Sequence, residues 1–339
     1  MPARRPFVAS ALLLEVIVLV GCQKKASVAV VNWGNNSVTE YALTANGNVA
    51  PSAALSGSNT GLDLPFGIAS DSVGSLRIGN GLGGFQGIGG SVTSYVSGAS
   101  GNSAPIATIA GANTGLTGGV SAVALDGTGN IYAVGSSFSN QEVTVYARGA
   151  TGDMAPIATI IGSNTGLVQP VGIGIDGAGK IYVANFGGTT VDSPSVTVYG
   201  AGANGNVAPV AKISGPNTGL AAPGAVAGPV ALAVDTAGTV YVASYTDMGR
   251  VNVFAPGANG NVFPQRTISG SNTGMFNPLG IAVDTNGNIY VSNTGLGHPD
   301  TILVYGPGAN GNVAPQASIS GNLTGLDMPG AMIIVPPDP

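Results

Sequence analysis

Six near-copies of one octapeptide constrain this chain more than any other feature of it. "GANGNVAP" stands letter for letter at Gly202–Pro209 and Gly308–Pro315, and "TANGNVAP", "GASGNSAP", "GATGDMAP" and "GANGNVFP" begin at Thr44, Gly98, Gly149 and Gly257. An aromatic residue precedes each copy, at Tyr41, Tyr95, Tyr146, Tyr199, Phe254 and Tyr305, so the period is close to fifty residues. A period of that size means one supersecondary unit copied along the chain, each copy burying its faces against its neighbours. Only 7% of the residues are charged and 56 of the 339 are glycine, which fits short strands punctuated by turns and neither a disordered tail nor a helical bundle.

Within one unit, from Val251, the sequence gives four short strands: "VNVF", "QRTIS", "LGIAVD" and "NIYVSN". Asn259–Gly260 suits a hairpin tip at positive φ, and Asp284 with Gly287 suits a tight turn in which the carboxylate accepts a backbone N–H two residues on. Four strands per fifty residues is the blade of a β-propeller. The sixth unit stops after "PGAMIIV", where Pro336 and Pro337 forbid further pairing, and its missing partner "SVAVVNWG" waits at Ser27. The expected fold is therefore all-β, a six-bladed propeller of four-stranded blades closed by the N-terminal strands pairing with the C-terminal strand, with the Gly- and Ala-rich "GIAVD" strands near the axis. Residues 27–339 form it as a single domain.

"PLGIAVDTNGNIYVSN", echoed by "PVGIGIDGAGKIYVAN" and "PVALAVDTAGTVYVAS", resembles the NHL repeat over nearly the whole of that domain. The resemblance implies the propeller fold and leaves function open, since NHL propellers include RNA binders, metal-dependent lyases and bacterial surface proteins. This chain has "SVT" or its like where a basic residue often precedes the outer strand, and its ten basic against fifteen acidic residues form no stripe for phosphates, so no nucleic-acid partner is expected. The lyase branch needs histidines from several blades, and His298 is the only histidine.

Ahead of the domain, Arg4 and Arg5 precede the apolar "FVASALLLEVIVLV", and "LVGC" at residues 19–22 resembles the lipobox of bacterial lipoproteins. Residues 1–21 are then the signal peptide, Cys22 the lipidated residue and 22–26 a short linker. Cys22 is the only cysteine, which excludes a disulfide within the chain. "RRPFV" also resembles a twin-arginine export motif, and Gln23 after the cysteine favours the outer membrane. The protein is thus expected in the bacterial cell envelope, facing periplasm or cell surface and held to the membrane only through its lipid.

Loop lengths divide into two sets. From the repeated aromatic to the proline is always ten residues and from the aspartate to the tyrosine place always six, whereas Asn32 to Tyr41 is nine, Asn80 to Tyr95 fifteen and Asn185 to Tyr199 fourteen. Alternate connections of an antiparallel meander lie on opposite faces, so the variation falls on one face, where a partner would be selected. The strands leading there end in Asn32, Asn80, Asn185 and Asn293, which either ring the channel mouth or cap their own turns. Trp33, Phe186 and Tyr245 follow, with Phe85 and Phe138 nearby. They either stack on a sugar or peptide or pack their own loops. The candidate binding residues are accordingly Trp33, Asn80, Asn185, Phe186, Tyr245 and Asn293. No catalytic or metal-binding residue is assigned. Asp63, Asp192, Asp247, Asp300 and Asp327 map to the same loops, which leaves calcium possible without requiring a cofactor. The expected function is a monomeric binding or scaffold module for protein or glycan partners. The alternatives are a calcium-dependent gluconolactonase-like hydrolase and a structural cell-surface protein.

Overall fold

β-Branched and aromatic residues alternate with small ones in each unit, and glycine or asparagine ends every run, so the chain pairs locally into meanders. In the computed structural model, which describes residues 24–81, 89–135, 141–187, 194–221, 227–245, 249–295 and 297–337, they form six four-stranded antiparallel sheets arranged as a six-bladed propeller. In blade 4 the inner strand is Pro170–Ile175, the second Ile181–Asn185, the third Ser195–Tyr199 and the outer Ala211–Ser214. Blade 1 is closed as expected: the C-terminal strand Pro329–Val335 lies inside Ser27–Asn32, pairing Ser27 with Val335 and Val30 with Met332. Helical structure among the described residues is confined to two short 3-10 turns, Ala112–Thr114 and Pro216–Thr218.

Near the axis neighbouring inner strands approach so closely that side chains must be missing. A Cβ on Gly67 would lie 2.9 Å from the Ala122 backbone. Outward from there the core is divided into six apolar clusters, one for each contact between adjacent blades. The repeated aromatic sits in each of them, fully buried. Its hydroxyl reaches the connection entering its own blade: Tyr199 donates to the Thr165 carbonyl at 2.7 Å, Tyr305 to Thr273 at 2.6 Å, and Tyr41, Tyr95 and Tyr146 to Thr324, Thr60 and Thr114 at 2.5 Å. Phe254 has no hydroxyl to give. In its blade Asn252 Nδ2 donates instead to the adjacent Gly219 carbonyl at 2.9 Å.

The octapeptide accounts for the rest of the contact. It does not simply turn at a hairpin tip. It folds back along the rim and lies beside the outer strand of the preceding blade, as a single parallel bridge at Gly47, Gly101, Gly152, Gly205, Gly260 and Gly311. The glycine is required because the bridge residue has positive φ, +76° at Gly205 and +77° at Gly260. The asparagine before it holds the strand it covers, as Asn204 Oδ1 does by accepting from Thr159 N at 3.0 Å. The residue after it accepts from the "SNTG"-type turn of that preceding blade: Asn206 Oδ1 takes Asn164 N at 2.7 Å, and Asp153 does the same for Asn113 N at 2.7 Å. "GANGNVAP" and "SNTG" are therefore two halves of one latch. The aspartate turns are as expected: Asp284 Oδ1 accepts from Asn286 N and Asn288 N, both at 2.9 Å.

Two consequences follow for stability. Asn206→Ala should lower the free energy of unfolding by about 1 kcal/mol, whereas Asn206→Asp, which installs the residue blade 3 already uses, should leave it unchanged. Chemical denaturation of the two variants separates these outcomes. Burial raises the Tyr41, Tyr146 and Tyr199 phenols from 10.0 to about 12, only partly offset by hydrogen bonds to Thr39, Thr144 and Thr197. A folded value above the unfolded one leaves this contribution intact below pH 10 and removes it as pH rises towards 12. Tyrosinate absorbance should therefore appear together with loss of circular dichroism over that interval, and ionisation of these tyrosines within an intact fold would contradict it.

Candidate binding face

One side of the disc carries the aspartate turns, and the other carries the connections between second and third strands and between blades. On this loop face the inner strands are shifted in register. In blade 4 the shift between Pro170 and Gly172 leaves Val171 unpaired, and the same irregularity occurs at Val230 and Leu279. Proline is tolerated just before each bulge because it stands at the beginning of its strand. Val171, Val230 and Leu279, with Phe66, line a central channel whose cavity measures 310 Å³. The walls are largely aliphatic. The ionisable side chains among the lining residues are Asp235 and Asp284, at the turn-face end.

The asparagines do not ring that channel. Asn80, Asn185 and Asn293, assigned above to binding, and Asn32 with them, are buried at the ends of second strands. Their amides are spent on their own blades. Asn185 Oδ1 accepts from Val168 N at 3.0 Å while Nδ2 donates to the Val183 carbonyl and Thr197 Oγ1, at 3.2 and 3.1 Å. Asn80 likewise takes Asp63 N and Asn293 takes Phe276 N, both at 3.2 Å. The capping reading therefore describes them, and they tie each variable connection to the entrance of its own blade. Gly135 and Ser244 hold the same position in the other two blades, where Ser244 Oγ is buried without a partner.

The rings are placed differently from one another. Tyr245 is 42% exposed, whereas Trp33 and Phe186 are half-buried. Their backbones are fixed by an unusual device. Leu64, Gln169 and Met328 occupy the same place before the entrance proline and are left-handed, with φ of 45°, 50° and 51°. For side chains of this bulk that conformation is strained and persists only where surroundings enforce it. The Gln169 and Met328 carbonyls accept the Phe186 and Trp33 N–H groups at 3.0 and 3.3 Å. Trp33 carries a feature that packing leaves unexplained: its indole Nε1 is shielded from solvent and has no acceptor among the described residues.

His298 is exposed, its ring centred 3.6 Å from that of Phe276. Sequence reasoning missed the Phe276 contact, because that phenylalanine lies in a different connection and the antiparallel pairing of Pro278–Val283 with Ile289–Asn293 in the same blade brings the two together. Asp300 is committed to Gly295 N and Met328 N at 3.0 and 2.9 Å. Among the described residues no three histidine, cysteine, aspartate or glutamate side chains gather as a metal site would require. Cys22, Phe85, Phe138, Asp192 and Asp247 lie outside the described residues.

No protein-family model matches the chain, and no curated protein matches it in sequence. Solved structures do match in shape. A protein of unknown function from Bacteroides caccae is 11% identical with a TM-score of 0.61, the match covering 92% of this chain and 99% of that one. A protein from Lactobacillus plantarum is 13% identical with a TM-score of 0.55 over the same shares of the two chains, 92% and 99%. The WD40 β-propeller domain of Doa1 is 14% identical with a TM-score of 0.52, covering 88% of this chain and 80% of that one. Similarity at these identities establishes the propeller fold alone.

If Asn185 is structural, Asn185→Ala strands Val168 N and Thr197 in the interior. It should cost about 1–3 kcal/mol of stability, read by chemical denaturation. A variant as stable as the parent would return Asn185 to the list of residues free to meet a ligand.

Proposed function

We propose that this chain is a lipid-anchored, extracytoplasmic propeller built from NHL-like repeats, whose loop face binds a protein or glycan partner. Its position relative to the membrane follows from where the chain enters the ring. Lys24 precedes the second strand of blade 1, Ser27 pairs with Val335, and both ends stand where the other five blades carry their aspartate turns. Lys24 Nζ pairs with the buried Glu40 carboxylate at 2.9 Å, which fixes the exit of the linker. A lipid on Cys22 would therefore draw the turn face towards the membrane and present the loop face away from it.

The observation that carries the binding assignment is the unpartnered indole N–H of Trp33 on that outward face. A shielded donor without an acceptor is unfavourable by the loss of its hydrogen bond to water. It is relieved by a ligand carbonyl or hydroxyl, and the ring supplies a rigid apolar surface beside it. Tyr245 offers a second exposed ring in blade 5. A hydrolase reading gains nothing here, since the loop carboxylate of Asp300 is occupied with backbone N–H groups.

A thermal-shift screen of the full chain against soluble glycans and peptides, followed by titration of the hits, tests the assignment. Trp33→Phe, which keeps a ring and deletes the N–H, should weaken binding of a hit by about 1–2 kcal/mol without lowering the melting temperature, and Tyr245→Ala by about 1–3 kcal/mol. Hits unaffected by either change would place recognition elsewhere. A screen without hits would favour a purely structural surface protein.

A further inference from the structure

Few side chains in this protein are charged, and five of them meet in one place on the face opposite the loops. Asp71, Arg77, Asp126, Arg148 and Asp176 line a cavity of 330 Å³ where the aspartate turns of blades 2, 3 and 4 converge. The aspartates belong to the repeat and are explained by it. Asp126 accepts from Thr128, Asn130 and Tyr132, and Asp176 from Ala178, Lys180 and Tyr182.

The arginines are explained by nothing in the repeat. Arg77 occupies the place held by Tyr132, Tyr182, Tyr241 and Tyr290 in four other blades, three of which give their hydroxyl to their own turn aspartate. Arg148, two residues beyond the repeated aromatic, stands where the other blades have Leu43, Ser97, Ala201, Pro256 and Pro307. Two departures in adjacent blades thus converge on a single cavity. Arg77 Nη1 donates to the Leu76 carbonyl at 3.0 Å, and its Nη2 stands 3.8 Å from Asp71 Oδ2. Arg148 lays its stem against Gly129 and forms no ion pair among the described residues. Burial lowers the Arg77 guanidinium from its ordinary value, Asp71 opposes that shift, and the charge of Arg148 adds to it, so the two cations sense each other across the cavity.

We propose that this cavity binds the carboxylate of a small hydroxylated acid, of the sugar-acid class, between Arg77 and Arg148. Planar guanidinium groups match a carboxylate through paired N–H donors. Two arginines among three aspartates leave the cavity formally at −1, so a monoanion that contacts the arginines directly is disfavoured less than a dianionic phosphate. Ser72 and Thr236 on the lining, with the lightly used Asp71 Oδ2, offer partners for ligand hydroxyls, and the cavity has the size of one monosaccharide unit. The site is separate from the loop face and does not depend on what binds there.

Calorimetric titration of the full chain with D-glucuronate, alongside D-glucose and inorganic phosphate, decides the matter. Glucuronate should bind saturably and glucose should not. Arg148→Ala should weaken glucuronate roughly tenfold or more. Arg77→Tyr, which restores the residue of the other blades, should abolish binding while keeping or raising the melting temperature. Tyr245→Ala should leave it unchanged. The assignment is overturned by a parent protein that ignores glucuronate, by phosphate binding as tightly as glucuronate, or by binding that survives both arginine substitutions. Binding only to vesicles containing phosphatidylglycerol would overturn it in favour of a lipid headgroup.

Discussion

The contact between neighbouring blades is what the rest of this molecule rests on. A four-stranded meander of such short strands buries too little to stand alone, and its outer strand offers an open edge. Both problems are met by the same residues. The glycine of each octapeptide bridges the preceding outer strand, the next residue caps the turn leaving that strand, and in five blades a buried tyrosine hydroxyl closes the connection from beneath. Because the latch joins consecutive units, the sixth must find the first. Gly47 completes the set by bridging Ile319, so the last outer strand is covered by a segment from the other end of the chain.

Closure also fixes what the two faces can do. Having the Ser27 and Val335 ends of blade 1 at the turn face leaves the loop face free for segments that differ from blade to blade. Those segments are anchored from below by buried asparagine amides and left-handed residues, so that a changed loop does not disturb the ladder. Variation is thereby confined to where it meets solvent, on a ring whose inner strands are too tightly packed to accept it.

In a protein built this way, function is best sought where a unit departs from its own repeat. Repeated features had structural explanations here: the asparagines cap, the aspartates turn, the tyrosines latch. Arg77 and Arg148 depart from the residues of the other blades, and Trp33 is the one tryptophan in a column it shares with Phe186 and Tyr245; Trp33 leaves a donor without an acceptor, and Arg148 a cation without an ion pair, among the described residues. That comparison was open to sequence reasoning for Arg77, since aligning the units exposes an arginine in a tyrosine column. It was not open for the pairing of Arg77 with Arg148, whose positions lie in different strands of different blades.

Strand number, blade count, the closing strand and the aspartate turns were determined by the sequence alone, because each depends on residues close together in the chain or on a period that repeats them. What only the tertiary structure decided is how the units touch. Asn206 and Asn164 are far apart in sequence and look like two separate turn signals; only the parallel bridge of Gly205 to Ile160 makes them donor and acceptor. The same holds for Asn80, Asn185 and Asn293, whose residue type and position are compatible with a channel rim or an interior cap. Backbone donors such as Val168 N choose between these, and their positions are set by packing between blades, which no local pattern encodes.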